Sequence, residues 1–165
     1  MTPKAIQLGL QFLLGMLFFI GGAVNAADRV TIGLVEEVIL LPWGVKMPAR
    51  IDTGAATSSL DVRDLKVQKK VAEFRLPEKY GGTPIRLPVK AWQVIRSAEA
   101  RERRPVVEVE LCVGPKQLRA RVNLNNREKV QYPFLIGRNI LQENFLVDCM
   151  KEFCNPPNCP VPLPK

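Results

Sequence analysis

One stretch alone between residues 30 and 148, residues 138–144, has the make-up of a helix; the rest is short runs of β-formers broken by turn residues. That pattern constrains the fold more than any other property of the chain. Residues 30–41 are rich in Val, Ile and Leu with Thr and Glu interleaved, which predicts a strand, and Pro42-Trp43-Gly44 ends it in a turn. Residues 45–51 resume as a strand, and residues 58–62 and 67–76 read as two more, set apart by the charged Arg63, Asp64 and Lys66. Residues 80–84 are hairpin-like punctuation, and residues 85–95 form a strand pair or one bent strand. Residues 96–104 are dense in charge without apolar periodicity and predict a solvated loop. Val107, Val109 and Leu111 alternate with Glu108 and Glu110, and Gly114-Pro115 then turns the chain into residues 117–124, a hairpin. Residues 132–137 predict a buried strand, and residues 145–148 a strand closing the sheet. Many short strands separated by turns predict an all-β barrel with at most one or two short helices, one of them near the C-terminus.

Residues 1–26 stand apart. A positive start ends at Lys4, residues 6–24 are almost wholly apolar, and Val24-Asn25-Ala26 offers small residues at a cleavage point, which is the make-up of a signal peptide. The competing reading is a retained anchor, and contact with a membrane is expected only in that case. Gly15, Gly21, Gly22, Gln7, Gln11 and Asn25 make the run a poor permanent span. The chain then divides into residues 1–26, a domain over residues 27–150, and a Pro- and Cys-rich tail over residues 151–165, expected to be extended and poorly ordered from residue 155. The expected location is periplasmic or otherwise exported.

Lys and Arg number 24 against 16 Asp and Glu, with no His. A basic exported domain suits acidic company such as an anionic membrane surface, an envelope polyanion or an acidic peptide, while export argues against nucleic acid. Plain solubility is the other reading of the charge. Cys112, Cys149, Cys154 and Cys159 all lie in the second half, and an even number in an oxidising compartment suggests two disulfides, one tying the tail back to Cys149 or Cys112. The even spacing of the last three could be read as metal ligands, but no His accompanies them and export favours oxidation, so neither metal nor cofactor is expected.

Asp52-Thr53-Gly54-Ala55 follows the strand over residues 45–51 and occurs once. Two carboxyl groups about 3 Å apart keep a single proton between them, so the pair serves as base toward a water and acid toward a carbonyl. Thr53 offers a short hydroxyl to hold two such loops in register, Gly54 lets backbone N–H groups approach the carboxylate, and Ala55 is small enough to pack tightly. Asp-Thr-Gly alone is more often an ordinary turn. What changes the weighing is Phe134-Leu135-Ile136-Gly137-Arg138-Asn139, two apolar residues and Gly before a helix start. The chain resembles the retroviral-type aspartic peptidases, the retropepsins, at both places and in the length between them. The resemblance implies a single-lobed acid-peptidase barrel in which the apolar strand supports the Asp52 loop, and a homodimer that supplies one Asp52 from each chain.

A closer resemblance is to the bacterial retropepsin-like family often labelled putative ATP-dependent zinc protease. It rests on Arg50-Ile51-Asp52-Thr53-Gly54-Ala55 with Thr57-Ser58-Ser59-Leu60, on Arg104-Pro105-Val106-Val107, on Asn126-Arg127, and on residues 133–138 with Phe145-Leu146-Val147-Asp148. The label's zinc and ATP find no support, because His-Glu-x-x-His and a Walker loop are both missing. Relatives include peptidases acting on glutamate-tailed proteins, which implies a peptide or protein substrate of acidic character. Arg50, Arg104, Arg127 and Arg138 fall in the matched segments and, with Ala55, are the expected substrate-binding residues beside catalytic Asp52, Thr53 and Gly54. Intramolecular pairing is the plainer role for the four arginines. Where the viral enzymes carry an acid after Asp-Thr-Gly-Ala this chain has Ala56, so Arg138 is expected to pair with Asp61, Asp64 or Asp148. A covering flap is expected either at residues 80–84 or at residues 96–104. The alternative function is a non-catalytic envelope module that binds peptides or a protein on the same barrel.

Overall fold

The computed structural model describes residues 29–96 and 101–160. The proposed signal segment lies outside these residues, and so does the end of the tail.

The chain opens with β1 (Val30–Ile32) and β2 (Val35–Leu41), two strands where the sequence suggested one. Gly33 separates them because the tail crosses there: a Cβ on Gly33 would lie 2.3 Å from the Lys151 carbonyl oxygen. β3 (Val45–Ile51) turns Met47, Ala49 and Ile51 inward and exposes Lys46 and Arg50. β4 (Ser58–Asp61) is buried along its whole length. β5 (Arg63–Gln68) and β6 (Val71–Arg75) form a hairpin, so the charged residues 63–66 belong to a strand rather than a separator. β7 (Pro84–Pro88) completes that three-stranded sheet, while β8 (Ala91–Arg96) joins a different one, which makes residues 85–95 a pair of strands. β9 (Arg101–Val113) starts inside the segment expected to be a loop, because residues 101–106 pair with β8. β10 (Lys116–Asn125) folds back on β9 as the alternation required. β11 (Phe134–Ile136), α1 (Arg138–Asn144) and β12 (Phe145–Val147) finish the regular structure.

Strand order β10-β4-β11-β3-β2-β9, with β9 also paired to β10, closes a six-stranded barrel. The expected all-β barrel with one short helix near the C-terminus is therefore present. Closure comes from β9 and β10, whereas β12 pairs with β1 in a separate parallel ribbon, Val30 opposite Phe145. Leu40, Leu60, Leu111, Leu124, Phe134, Ile136 and Ile140 fill the interior at 2% exposure or less. Each contributes about 1.5–3 kcal/mol by leaving water. β3 and β11 run parallel through this core, Ile51 beside Ile136, so the residue after Ile51 emerges at a fixed point on the barrel rim.

Cys112 and Cys159 form a disulfide, one of the two tail attachments expected, but the second disulfide expected is absent among the described residues, where Cys149 and Cys154 are free. The tail through residue 160 is therefore pinned, and Asn158 N donates to Gly114 O at 2.8 Å. A disulfide is consistent with export.

Candidate active site

Asp52 is the first residue beyond β3, and its backbone is held from two sides. Its N–H donates to Ile136 O of β11 at 2.9 Å, and the preceding Ile51 N–H donates to Leu34 O at 2.9 Å. The chain then doubles back, and Asp52 Oδ1 accepts N–H groups from Gly54 at 2.9 Å and Ala55 at 3.0 Å. Gly54 earns its place by closeness rather than by an unusual backbone angle, since a Cβ there would stand 3.2 Å from Asp52 Oδ1. Two amide donors on one oxygen fix the carboxylate's orientation.

The start of α1 clamps the loop from below. Arg138 N donates to Ala55 O at 2.9 Å and Asn139 N to Ala56 O at 3.3 Å. Arg138 Nη1 donates to Thr53 O at 3.0 Å and Gly54 O at 2.7 Å. Arg138 thus takes two carbonyls in place of the carboxylate partner expected. Asp61 is engaged by Arg63 Nη1 at 2.5 Å and Arg127 N at 2.6 Å, and Asp148 by Lys151 at 3.0 Å. Ser58 Oγ accepts Gly137 N at 3.0 Å and donates to Asn139 Oδ1 at 2.9 Å, and the same Oδ1 accepts Ser58 N at 2.8 Å. Gly137 has no room for a side chain, because a Cβ would meet Thr57 C at 2.8 Å and the Ala55 and Thr57 oxygens at 2.9 Å.

Ser58, Ser59, Asn123, Asn139 and Gln93 were not singled out from sequence as site residues. Ser59 Oγ donates to Asn123 Oδ1 at 2.8 Å, while Asn123 Nδ2 reaches Ser58 O and Gln93 Oε1, both at 3.1 Å. Gln93 Nε2 donates to Thr57 Oγ1 at 2.7 Å, which fastens β8 to the loop's far end. The run Thr57-Ser58-Ser59-Leu60 carried the only signal, polar residues in a strand that must be buried on both faces.

The other expected site residues are spread around this loop. Thr53 is exposed and Ala55 half-buried, and Arg50 stands exposed on β3. Arg104 is paired within the chain, its Nε and Nη2 donating to Glu102 at 2.8 and 2.6 Å. Arg127 is half-buried, and its buried Nε has no hydrogen-bond partner among the described residues. Burial, and then the charge of Arg104, lower the Arg127 pKa, while the Asp61 and Asp52 carboxylates pull it back up. Arg104, Asn125, Asn126, Arg127 and Lys129, together with the acidic Glu128 and with Val130, line a cleft of about 400 Å³. Among the described residues no group of three His, Cys, Asp or Glu could hold a metal.

Residues 31–158 match the RimB-like family, described as the retropepsin-like aspartic endopeptidase RimB. The chain belongs to the RimB-like family. A solved structure of similar fold, the Legionella pneumophila protein Lpg0085 of unknown function, is 29% identical with a TM-score of 0.66, over 77% of this chain and 98% of that one. No curated protein matches the sequence. The RimB-like match spans both the Asp52 loop and the Gly137-Arg138-Asn139 clamp, and it runs into the tail.

Proposed function

We propose that this protein is an exported aspartic endopeptidase, assembled as a homodimer, that hydrolyses acidic peptides. The observation that carries the reading is the fixed Asp52 carboxylate, held by Gly54 N and Ala55 N on a loop clamped by β11 and α1. A second chain brings the second Asp52. In the paired site one carboxylate takes a proton from the water as it attacks the peptide carbonyl, and the other, protonated, gives its proton to the carbonyl oxygen. Collapse of the tetrahedral diol breaks the C–N bond, and the amine leaves with a proton returned from the dyad.

Arg127 supports the acidic preference. Its guanidinium stays charged at any physiological pH. It senses the Asp52 charge and lines the adjoining cleft, so a substrate carboxylate entering that cleft would face a guanidinium close to the Asp52 loop. The hairpin of β8 and β9 is the proposed cover over the substrate, since Gln93 joins it to Thr57 and Arg104 lies opposite Gln93 in register.

The test is hydrolysis of a diverse peptide library, including glutamate-rich members, by residues 27–165 and by Asp52→Asn, from acid to neutral pH, with sedimentation alongside. Cleavage that is lost in the variant, survives chelators and grows with the dimer population is expected. Equal behaviour of the two proteins, with peptide binding intact, would replace the peptidase by the binding module.

A further inference from the structure

The segment after β12 has no regular structure, yet it is tied down every few residues. Asp148 N donates to Ile32 O at 2.8 Å, Leu34 N to Lys151 O at 2.7 Å and Phe153 N to Val35 O at 2.7 Å. Its anchor is Glu36, which is wholly buried. Glu36 Oε1 accepts Gly33 N at 2.6 Å, Cys154 N at 3.3 Å and Cys154 Sγ at 3.2 Å, and Oε2 accepts Asn155 N at 3.2 Å. A buried carboxylate without donors is costly, and three of these four donors come from the tail. At the far end Cys159 is bonded to Cys112, which is itself fully buried on β9.

One residue connects this strap to the loop of Asp52. Leu34 gives its N–H to Lys151 O and accepts Ile51 N on its own carbonyl. Strap, Leu34 and Ile51 form an unbroken hydrogen-bonded line ending one residue before Asp52. We propose that the disulfide-fastened strap, anchored on Glu36, is a positioning element for Asp52, so that the catalytic loop reaches its working geometry only after Cys112 and Cys159 are oxidised on export. The inference rests on the peptidase reading above. The bond forms by exchange with a disulfide oxidant of the export compartment. One cysteine thiolate attacks an oxidant sulfur and expels a thiolate, and the second then displaces the remaining oxidant thiolate, so the pair loses two protons and two electrons and the oxidant becomes a dithiol. Cys154 is a poor competitor, since partial burial and then the Glu36 hydrogen bond raise its thiol pKa and keep it from the thiolate that exchange requires. A peptidase built this way is slack in a reducing compartment and set where disulfides persist.

The experiment compares residues 27–165 as wild type, Cys159→Ala and Glu36→Gln by amide hydrogen exchange and peptide turnover, before and after dithiothreitol and after reoxidation with glutathione disulfide. Exchange at the Leu34 and Ile51 amides should rise about tenfold in Cys159→Ala and in reduced wild type. Reoxidation should restore the wild type alone. Glu36→Gln should show a smaller rise with the bond intact, and no rise would remove Glu36 as the anchor. Turnover should show kcat falling about tenfold with KM within about twofold. A lower melting temperature with unchanged kcat per folded molecule would make the disulfide a simple staple and sink the proposal, as would unchanged exchange at Ile51 once the bond is cut. If wild type cleaves no peptide in any state, the peptidase reading fails by itself, and exchange at Ile51 alone decides whether the strap sets the loop.

Discussion

Gly137→Ala is the sharpest single perturbation of the candidate site. The added methyl would sit 2.8 to 2.9 Å from three backbone atoms of the Asp52 loop, Thr57 C, Ala55 O and Thr57 O. Ordinary contact at about 3.4 Å or more demands that loop and helix start separate by roughly half an ångström. No flexible side chain lies in the way to absorb the shift. Overpacking of this kind costs about 1–3 kcal/mol. The movement also stretches Gly137 N to Ser58 Oγ and Arg138 N to Ala55 O, each worth about 0.5–1.5 kcal/mol. A total near 3 kcal/mol follows, which for a domain of this size lowers the melting temperature by about 10 °C. Because a 1 Å misplacement can cost about a hundredfold in rate, half of that should cost about tenfold. Gly81→Ala is the control: its φ is +87° with only Thr83 Oγ1 nearby at 3.6 Å, so it should lose about 1 kcal/mol and keep its activity. Urea unfolding of both variants, with turnover measured on the folded fraction, decides the matter. Gly137→Ala within about 0.5 kcal/mol of wild type, or no more impaired in turnover than Gly81→Ala, would refute the clamp.

Asn139→Ala should cost about 2 kcal/mol, because it leaves the buried Ser58 N–H and hydroxyl without their shared acceptor; chemical denaturation measures it, and a loss too small to resolve would mean water substitutes there. Arg127→Gln should raise KM for acidic peptides about tenfold or more and leave neutral peptides alone; equal effects on both would remove Arg127 from recognition. The turn at Asp148 should loosen in acid. The Met150 N–H, and then Lys151, hold the Asp148 carboxylate below its ordinary pKa, so its support is complete above the ordinary carboxylate range and is lost as the pH falls through the depressed folded value. A carboxyl titration by NMR that is not depressed, or that is unchanged in Lys151→Ala, would contradict this.

The parts of the fold that were legible in sequence are those fixed by a local pattern. Residues 45–51 alternate cleanly and are β3, and Arg138–Asn144 is the helix expected. Two of the misreadings share a physical cause, a neighbouring segment that the local pattern does not display. Residues 101–104 are charged enough for a loop, but β8 lies alongside and supplies ladder partners for their backbone. Residues 30–41 look continuous until the tail, more than a hundred positions later, needs the space at Gly33. The turn between β5 and β6 was hidden because Lys69 and Lys70 occupy positive φ, 47° and 64°, where glycine or asparagine would have advertised it. At the site, Asp52, Gly54 and Gly137 were visible as a motif. Arg138 was given carboxylate partners because charge is what a sequence displays, whereas its true partners are carbonyls that every residue possesses.

That last point bears on how the Asp52 loop is held. Nearly every group that holds residues 51–57 in place acts on the main chain: Ile136 O, Leu34 O, the Arg138 and Asn139 amides, and the Arg138 guanidinium on two carbonyls. The Asp52 side chain is engaged by the described residues at Oδ1 alone, where two amides fix its direction. The proposed acid–base chemistry on a shared proton asks for this division, with one oxygen immobilised so that the geometry is set in advance and the other left to a water and the proposed partner carboxylate. Support through side chains would consume the groups that the reaction needs. Support through the backbone leaves them uncommitted, and it explains why Gly137 and Asn139 act through space and hydrogen bonding and why even the charged Arg138 spends its guanidinium on carbonyls rather than on the Asp52 carboxylate.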